Sequence, residues 1–470
     1  MSEREFDVII LGAGPAGEVA AGRLGEADLD VAIVEPHLIG GECSFYACMP
    51  SKALLRPGEL LAEARRIPGV REAVSGDLDV RSVLGRRDEI IHGLDDSHME
   101  PWLIDRGVTI VRGAGRLDGE RRVRVGDELL LARRAVMVAT GSAPLIPPIP
   151  GLDQIKPWTN RDATTAEEVP ERLVILGGGV VGVEMAQAYA NFGSKVSLVE
   201  GGDRLIAREE PFASEDVLEA LREKGVEVHL GVLASAVHAD NGEVVVELQS
   251  SEGPLRGEQL LVATGRRLNT TDIGLETVGL EPGKPVEVDD RMRASDWLYA
   301  VGDANGRALL THMGKYQARV AADVILGEEN YCLLSDGQQS PRVIFTDPQV
   351  AAVGYTLAAA QEAGLNVRAA DVPTQSAAGA SFYGRDYAPG TTRFVIDEDR
   401  RIVVGATFTG PEVAEFLQAA TVAVIGEVPL ERLFHAIPAF PTRSEVWLYL
   451  LEQLGVSGPC YPLVAQQTAA

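Results

Sequence analysis

Short apolar runs punctuated by glycine organise the first two thirds of this chain. The run DVIILG (7–12) stops at a glycine and passes into the alanine-rich stretch AGEVAAGRLGE. A brief apolar run bounded by glycine reads as a buried strand, and the small apolar residues behind it read as a helix. A second run, DVAIVE (30–35), predicts the next strand. The same order returns in RLVILGGGVVGVEMAQAYANFGSKVSLVE (172–200). Strands alternating with helices in this way predict parallel sheets built from βαβ units. MVATGSAPLIPPIPG (137–151) and LLVATGRRLNT (260–270) each run from a strand into a Thr-Gly turn, and the first ends in a proline-rich connection that reads as a hinge. WLYAVGDANG (297–306) predicts a strand ending at Gly302-Asp303, and LLTHMGKYQARVAADVILG a helix starting near His312. From about residue 341 the pattern changes. RVIFTDPQVAAVGYT and TTRFVIDEDRRIVVGATFTG read as strands with short turns, and FLQAATVAVIG and SEVWLYLLEQLG as helices, an α+β arrangement.

The glycines carry chemistry as well as turns. Gly12, Gly14 and Gly17 form a G-x-G-x-x-G run between strand and helix, and Glu35 ends the next strand twenty-three residues after Gly12. Gly177, Gly179, Gly182 and Glu200 repeat this at the same interval. In such a fingerprint the glycines allow a tight turn, close approach of a pyrophosphate and helix–strand packing, while the acid takes ribose hydroxyls. Two complete copies imply two dinucleotides. Glu200 would repel a 2′-phosphate, which favours NADH over NADPH, although Arg204 and Arg208 lie just downstream.

Composition narrows the class. A length of 470 residues exceeds what one core serves, so several domains are expected. The net charge of −26 argues against nucleic acid or an anionic membrane as partner. No stretch is long enough to span a bilayer, and the acidic start MSEREFDVIILGAGPAG lacks the features of a signal peptide, so a cytoplasmic protein is expected. Four cysteines make no disulfide framework, and the close pair Cys43 and Cys48 in GGECSFYACMPSK reads as catalytic rather than structural. No second Cys/His cluster with ligand spacing completes a zinc site.

Taken together, GAGPAG, GG-x-C-x4-C-x-P-S-K, ATGS, GGGVVGVE, ATGR, VGD, the LTH helix start and FT-x-P-x-x-x-x-VG resemble the FAD-dependent pyridine nucleotide-disulfide oxidoreductases. This is the family of dihydrolipoamide dehydrogenase, glutathione reductase and mercuric reductase. The resemblance covers essentially the whole chain. It implies an α/β fold with two doubly wound, Rossmann-like domains, one for FAD and one for NAD, followed by a C-terminal α+β dimerisation domain. The corresponding boundaries are 1–149 and 271–340 for the two parts of the FAD-binding domain, 150–270 for the NAD-binding domain and 341–470 for the interface domain.

By resemblance, Gly12, Gly14, Gly17, Glu35 and Gly41 would hold FAD, with Gly115, Thr140 and Gly141 near its adenosine half. Asp303 would bond the ribityl chain. The helix opening at Thr311 and His312 would aim its N–H groups at the flavin edge where charge develops on reduction. Lys52 and Glu184 would pair beside flavin N5, and Gly177, Gly179, Gly182, Glu200 and Gly265 would hold NADH. Cys48 would be the thiolate touching the flavin and Cys43 the interchange thiol facing the substrate. Phe45 and Tyr46 between them are expected to pack, with an aromatic wall for a flat acceptor as the alternative.

One family position departs. The resemblance implies a His-Pro-Thr-x-x-Glu motif whose histidine serves the partner subunit's site, so a homodimer is expected. Here the stretch reads FHAIPAFPTRSEVW: Pro441, Thr442 and Glu445 are present, but Phe440 occupies the histidine position. Phenylalanine transfers no proton, and loss of a general acid–base costs about 10²–10⁴ in rate. His435 lies five residues upstream. The expected activity is therefore NADH-dependent reduction through FAD and a Cys43–Cys48 disulfide, on to a disulfide or another small acceptor. The alternatives are an NADH:quinone or dye reductase, a metal reductase like mercuric reductase with Cys460 near the C-terminus, or a flavoprotein redox sensor without turnover.

Overall fold

The computed structural model describes residues 2–250, 253–328, 330–383 and 390–457. The chain divides into two compact units. One comprises Met1–Leu60, Gly76–Ile206 and Leu221–Gly337, the other Leu61–Ser75, Ala207–Ala220 and Gln338–Ala470.

In the first unit, the strands β1 (Ser2–Leu11), β2 (Val31–Glu35), β3 (Val108–Arg112), β4 (Gly115–Leu117), β5 (Arg122–Val125) and β6 (Glu128–Val138) lie in the order β3-β2-β1-β6-β5-β4. The pairs among β1, β2, β3 and β6 are parallel, while β4 and β5 return antiparallel. Val8–Leu11 and all of β2 are buried, as a parallel sheet covered on both faces requires. Helix α1 (Pro15–Glu26) crosses from β1 to β2. Short α2 (Gly41–Phe45) and long α3 (Cys48–Arg66) follow β2, and α4 (Val80–Ile90) and α5 (Glu100–Ile104) lead to β3.

The chain then leaves this sheet through β7 (Ser142–Pro144), beyond which α6 (Asn160–Thr165) introduces a second parallel sheet. Its strands are β8 (Arg172–Leu176), β9 (Lys195–Glu200), β10 (Glu227–Leu230) and β14 (Gln259–Val262), in the order β10-β9-β8-β14. Helix α7 (Val180–Asn191) crosses from β8 to β9, and α8 (Pro211–Glu223) precedes β10. An antiparallel sheet of β11 (Ala234–Asp240), β12 (Glu243–Leu248) and β13 (Leu255–Gly257) sits between β10 and β14 in sequence. The chain comes back through β15 (Arg266–Leu268), which pairs antiparallel with β7, so both Thr-Gly turns feed one two-stranded ribbon. After it, β16 (Leu298–Ala300) rejoins the first sheet, parallel to β6. Helix α9 (Thr311–Leu326) packs on α1, where a Cβ on Gly314 would stand only 3.4 Å from that of Ala16.

The second unit is built on a five-stranded antiparallel sheet: β17 (Arg342–Ile344), β18 (Gln349–Gly354), β19 (Val367–Pro373), β20 (Thr391–Asp397) and β21 (Ile402–Gly410), in the order β17-β18-β21-β20-β19. Helix α10 (Leu357–Glu362) precedes β19, and α11 (Leu417–Ile425), α12 (Leu430–Leu433) and α13 (Val446–Gln453) follow β21. Phe394, Phe408, Leu450 and Leu451 are buried in its core, with the Trp447 ring 4.7 Å from that of Phe394. Buried acids hold the sheet's arginines: Glu209 pairs with Arg342 at 2.7 Å and Glu210 with Arg393 at 2.8 Å.

Candidate active site

The two glycine loops repeat one another residue by residue. Gly12 and Gly177 have φ of +103° and +108°, and a Cβ on either would stand 2.4 Å from the carbonyl oxygen of Ala139 or Ala263. A Cβ on Gly17 or Gly182 would sit 1.9 or 1.8 Å from the carbonyl of Gly12 or Gly177. The outer glycines are therefore required by the turn and by helix–strand contact. The middle ones are not. Gly14 and Gly179 have φ of −72° and −76°, open to any residue, and nothing lies within 4 Å of a Cβ built there. Each caps the N-terminus of a helix of twelve residues, where unpaired N–H groups and the helix dipole favour a phosphate. Open space at such a helix end, next to a glycine the fold does not need, fits a pyrophosphate in both loops.

The acids close these loops from behind. Glu35 accepts the N–H groups of Ala13 and His37, both at 2.8 Å. Glu200 accepts those of Gly178 at 2.5 Å and Gly202 at 2.7 Å. Beside the first loop opens a cleft of about 480 Å³ lined by Gly12, Glu35, Gly115, Thr140 and Arg161, among others. Thr140 Oγ1 is buried there without a hydrogen-bond partner among the described residues. A buried, unsatisfied hydroxyl costs about 1–3 kcal/mol, so the cleft presents a polar group to a ligand. Gly141 has φ of +70° in the same turn, and Gly265 has φ of +144° in the corresponding turn after β14. Asp303 follows β16. It accepts a hydrogen bond from Ser142 Oγ at 2.5 Å, and burial pushes its carboxyl above the usual range. These surroundings fit FAD at the first loop and a second dinucleotide at the other.

Cys43 lies within α2 and Cys48 begins α3, and both are half-buried. Their environments split them. A hydrogen bond from Cys43 pulls the Cys48 thiol down to about 6, helped by the Thr311 hydroxyl and the Lys52 charge and opposed by burial. The same bond, with burial, holds the Cys43 thiol well above the ordinary range. Cys48 Sγ lies 3.4 Å from Thr311 Oγ1, at the first residue of α9, and His312 follows it in that turn. Its place at the N-terminus of a nineteen-residue helix further favours the thiolate. One turn along α3, Lys52 Nζ donates to Glu184 Oε2 of α7 at 2.8 Å, and Glu184 is buried. Gly41, with φ of +56°, brings the start of α2 against Gly14. Strands β1 and β2, α3, α7 and α9 thus converge on one end of the first sheet.

Other expected residues resolve differently. Phe45 is buried against Gly40 and His98 and offers no wall to an acceptor. Tyr46 lies beneath the Arg161 guanidinium, 4.7 Å from its ring centre. In the second unit, Phe440 is 76% exposed, whereas Glu445 is buried and its Oε2 has no hydrogen-bond partner among the described residues. His435 is exposed. Cys460 lies outside the described residues. Among those residues no group of three or more His, Cys, Asp or Glu side chains is disposed to hold a metal ion. Nor is any helix long and apolar enough to cross a membrane.

Sequence reasoning missed the partners of α2. Glu42 and the Tyr46 carbonyl are held by Asn160, Arg161 and Thr164 of α6. The only sign in the sequence was the capping box Thr159-x-x-Asp162, which marks the start of α6 but not its target.

The profile of the pyridine nucleotide-disulphide oxidoreductases matches residues 6–322, and that of the dimerisation domain of the same family matches residues 340–450. The chain belongs to this family. It is 32% identical over 455 residues to a dihydrolipoyl dehydrogenase of Haloferax volcanii, covering 93% of this chain and 94% of that one. A mercuric reductase of Staphylococcus aureus is 28% identical over 449 residues, covering 94% and 81% of the two chains. The fold is shared with the HOCl-induced flavoprotein disulfide reductase RclA of Escherichia coli, solved as a Cu(II) complex (TM-score 0.83, 24% identity, 96% and 99% coverage). LpdA of Mycobacterium tuberculosis shares it as well (TM-score 0.83, 24% identity, 97% and 100% coverage). The protein is thus an α/β flavoprotein oxidoreductase of a family that uses FAD and NAD(H) and carries a dimerisation domain.

Proposed function

We propose that the protein is an NADH-dependent reductase that carries two electrons to a Cys43–Cys48 disulfide and from Cys43 to a small acceptor. The observation that supports it best is the unequal pair of thiols: Cys48 is pulled down to about 6 and Cys43 is held up, four residues from the Lys52–Glu184 ion pair. FAD, when bound, supplies the hydride acceptor between NADH and the disulfide. Reduction breaks the S–S bond and leaves Cys48 as thiolate and Cys43 as thiol. Cys43 gives its proton to solvent, attacks an acceptor disulfide, forms a mixed disulfide and expels the first leaving group as a thiolate. Cys48 then attacks Cys43 Sγ, expels the second thiolate and restores the bond. Glu200, with its carboxylate at the second loop, supports NADH over NADPH. In the family's pairing of subunits, Phe440 would face the partner's cysteines and supply no proton. The acceptor that fits is one whose leaving group needs none: a disulfide with an acidic thiol, or another small two-electron acceptor. The reading places the protein in the cytoplasm as a homodimer.

Anaerobic titration with NADH, on wild type and Cys43→Ser, tests this. Wild type should take up about four electrons per subunit and develop a long-wavelength thiolate–flavin band, and Cys43→Ser about two. Uptake of only two by wild type would remove the cysteines from the electron path.

A further inference from the structure

Helix α2 carries Cys43 yet has only five residues, too few to hold itself in water. Its stability must come from outside: Phe45 is buried, Arg266 of β15 lies 3.8 Å from Glu42, and α6 supplies the hydrogen bonds to the Glu42 side chain and the Tyr46 carbonyl. Asn160 Nδ2 donates to Glu42 Oε2 at 3.0 Å and to the Tyr46 carbonyl at 2.9 Å, so a single amide grips both sides of Cys43. Thr164 Oγ1 lies 3.0 Å from the same carbonyl and 2.8 Å from that of Asn160, sharing its one proton between them. Arg161 pairs with Glu42 and covers the Tyr46 ring. Asn160 and Thr164 are buried, at 6% and 2% exposure, which makes these contacts expensive to lose. Helix α6 is itself anchored on two sides. Arg87 Nη1 donates to the Thr164 carbonyl at 2.6 Å, and Tyr189 Oη of α7 to the Ala163 carbonyl at 2.7 Å.

We propose that Asn160, Arg161 and Thr164 are positioning residues that fix α2 and so hold the Cys43 thiol in place relative to Cys48. This rests on the reading of Cys43 and Cys48 as a redox pair. The geometry explains why an acid stands beside Cys43: Glu42 receives the amide and the guanidinium that lock the helix. It also makes α6 a link between the redox helix and α7, the helix that Gly179 caps and that carries Glu184. The charges facing the thiols are Lys52 from α3, Glu184 from α7 and Lys315 from α9, none of them carried by α2. A change on loosening α2 is therefore assignable to the placement of Cys43 relative to Cys48.

The test uses NADH-reduced, FAD-loaded wild type, Asn160→Ala and Thr164→Val, the last removing only a hydroxyl. Two readouts are followed against pH: the thiolate–flavin band, reporting Cys48, and the rate of Cys43 alkylation by iodoacetamide, located by mass spectrometry. In Asn160→Ala the band midpoint should rise by about one pH unit and Cys43 alkylation at pH 7 should quicken about tenfold, since Cys48 loses a stabilising donor and Cys43 gains freedom. Thr164→Val should shift both in the same direction by less, and it carries the test if Asn160→Ala does not fold. Folded variants with wild-type midpoint and alkylation rate would overturn the positioning role. If wild type itself shows no band and no NADH-dependent alkylation of Cys43, the redox pair fails and the positioning role falls with it.

Discussion

Cys48 illustrates how much a single position depends on what surrounds it. An ordinary thiol is mostly protonated at pH 7. Here the Cys43 donor, the Thr311 hydroxyl and the Lys52 charge outweigh burial and bring it to about 6. Because the shift is downward, the thiolate is present above that value and is lost as the pH falls through it. Following the thiolate–flavin band of the reduced protein from pH 8 to pH 5 should therefore show loss with a midpoint near 6, and a midpoint above 8 would contradict the environment described. The cysteines and their lysine were legible in the sequence because they sit within ten residues of one another. Thr311 was legible as a helix start, but its contact with sulfur was not, since 263 residues separate the two.

At the scale of elements, the two strand–glycine–helix units were readable almost entirely, because their contacts are local and their periodicity changes at a glycine. What spacing could not reveal is that the three glycines of each unit serve different ends. A Cβ at Gly182 collides with backbone, whereas one at Gly179 meets nothing. Gly179→Ala should fold with a thermal midpoint within about 2 °C of wild type and raise the KM for NADH about tenfold or more. Gly182→Ala should lower thermal stability outright, with or without nucleotide. Equal thermal losses in the two variants, by differential scanning fluorimetry, would refute the distinction. Helix α6 escaped for the opposite reason: its importance lies in which helix it grips, and nothing in six residues of its sequence names a partner so far away in the chain.

At the scale of the whole molecule, the family profiles and the resemblance in sequence agree on a flavoprotein with a dimerisation domain. The departure at Phe440 was visible from sequence because the flanking Pro441, Thr442 and Glu445 kept their spacing. The structure adds a buried Glu445 oxygen without a partner among the described residues. Phe440→His would give it an imidazole to orient, and NADH-dependent lipoamide reduction should rise by about 10-fold to 10²-fold, measured at constant FAD content. No gain, with the variant folded and dimeric, would mean that the acceptor pocket is shaped for something other than a dithiolane.

The late return of β16 to the first sheet bears on how the chain is made. A ribosome delivers β1 to β6 first, but β6 lacks its neighbour Leu298–Ala300 until the whole excursion through β7 to β15 has emerged. The excursion has its own parallel sheet and can settle as a unit while the first sheet waits with the Val136–Val138 end of β6 unpaired on one side. During that interval the growing chain exposes a strand edge that the finished protein never shows.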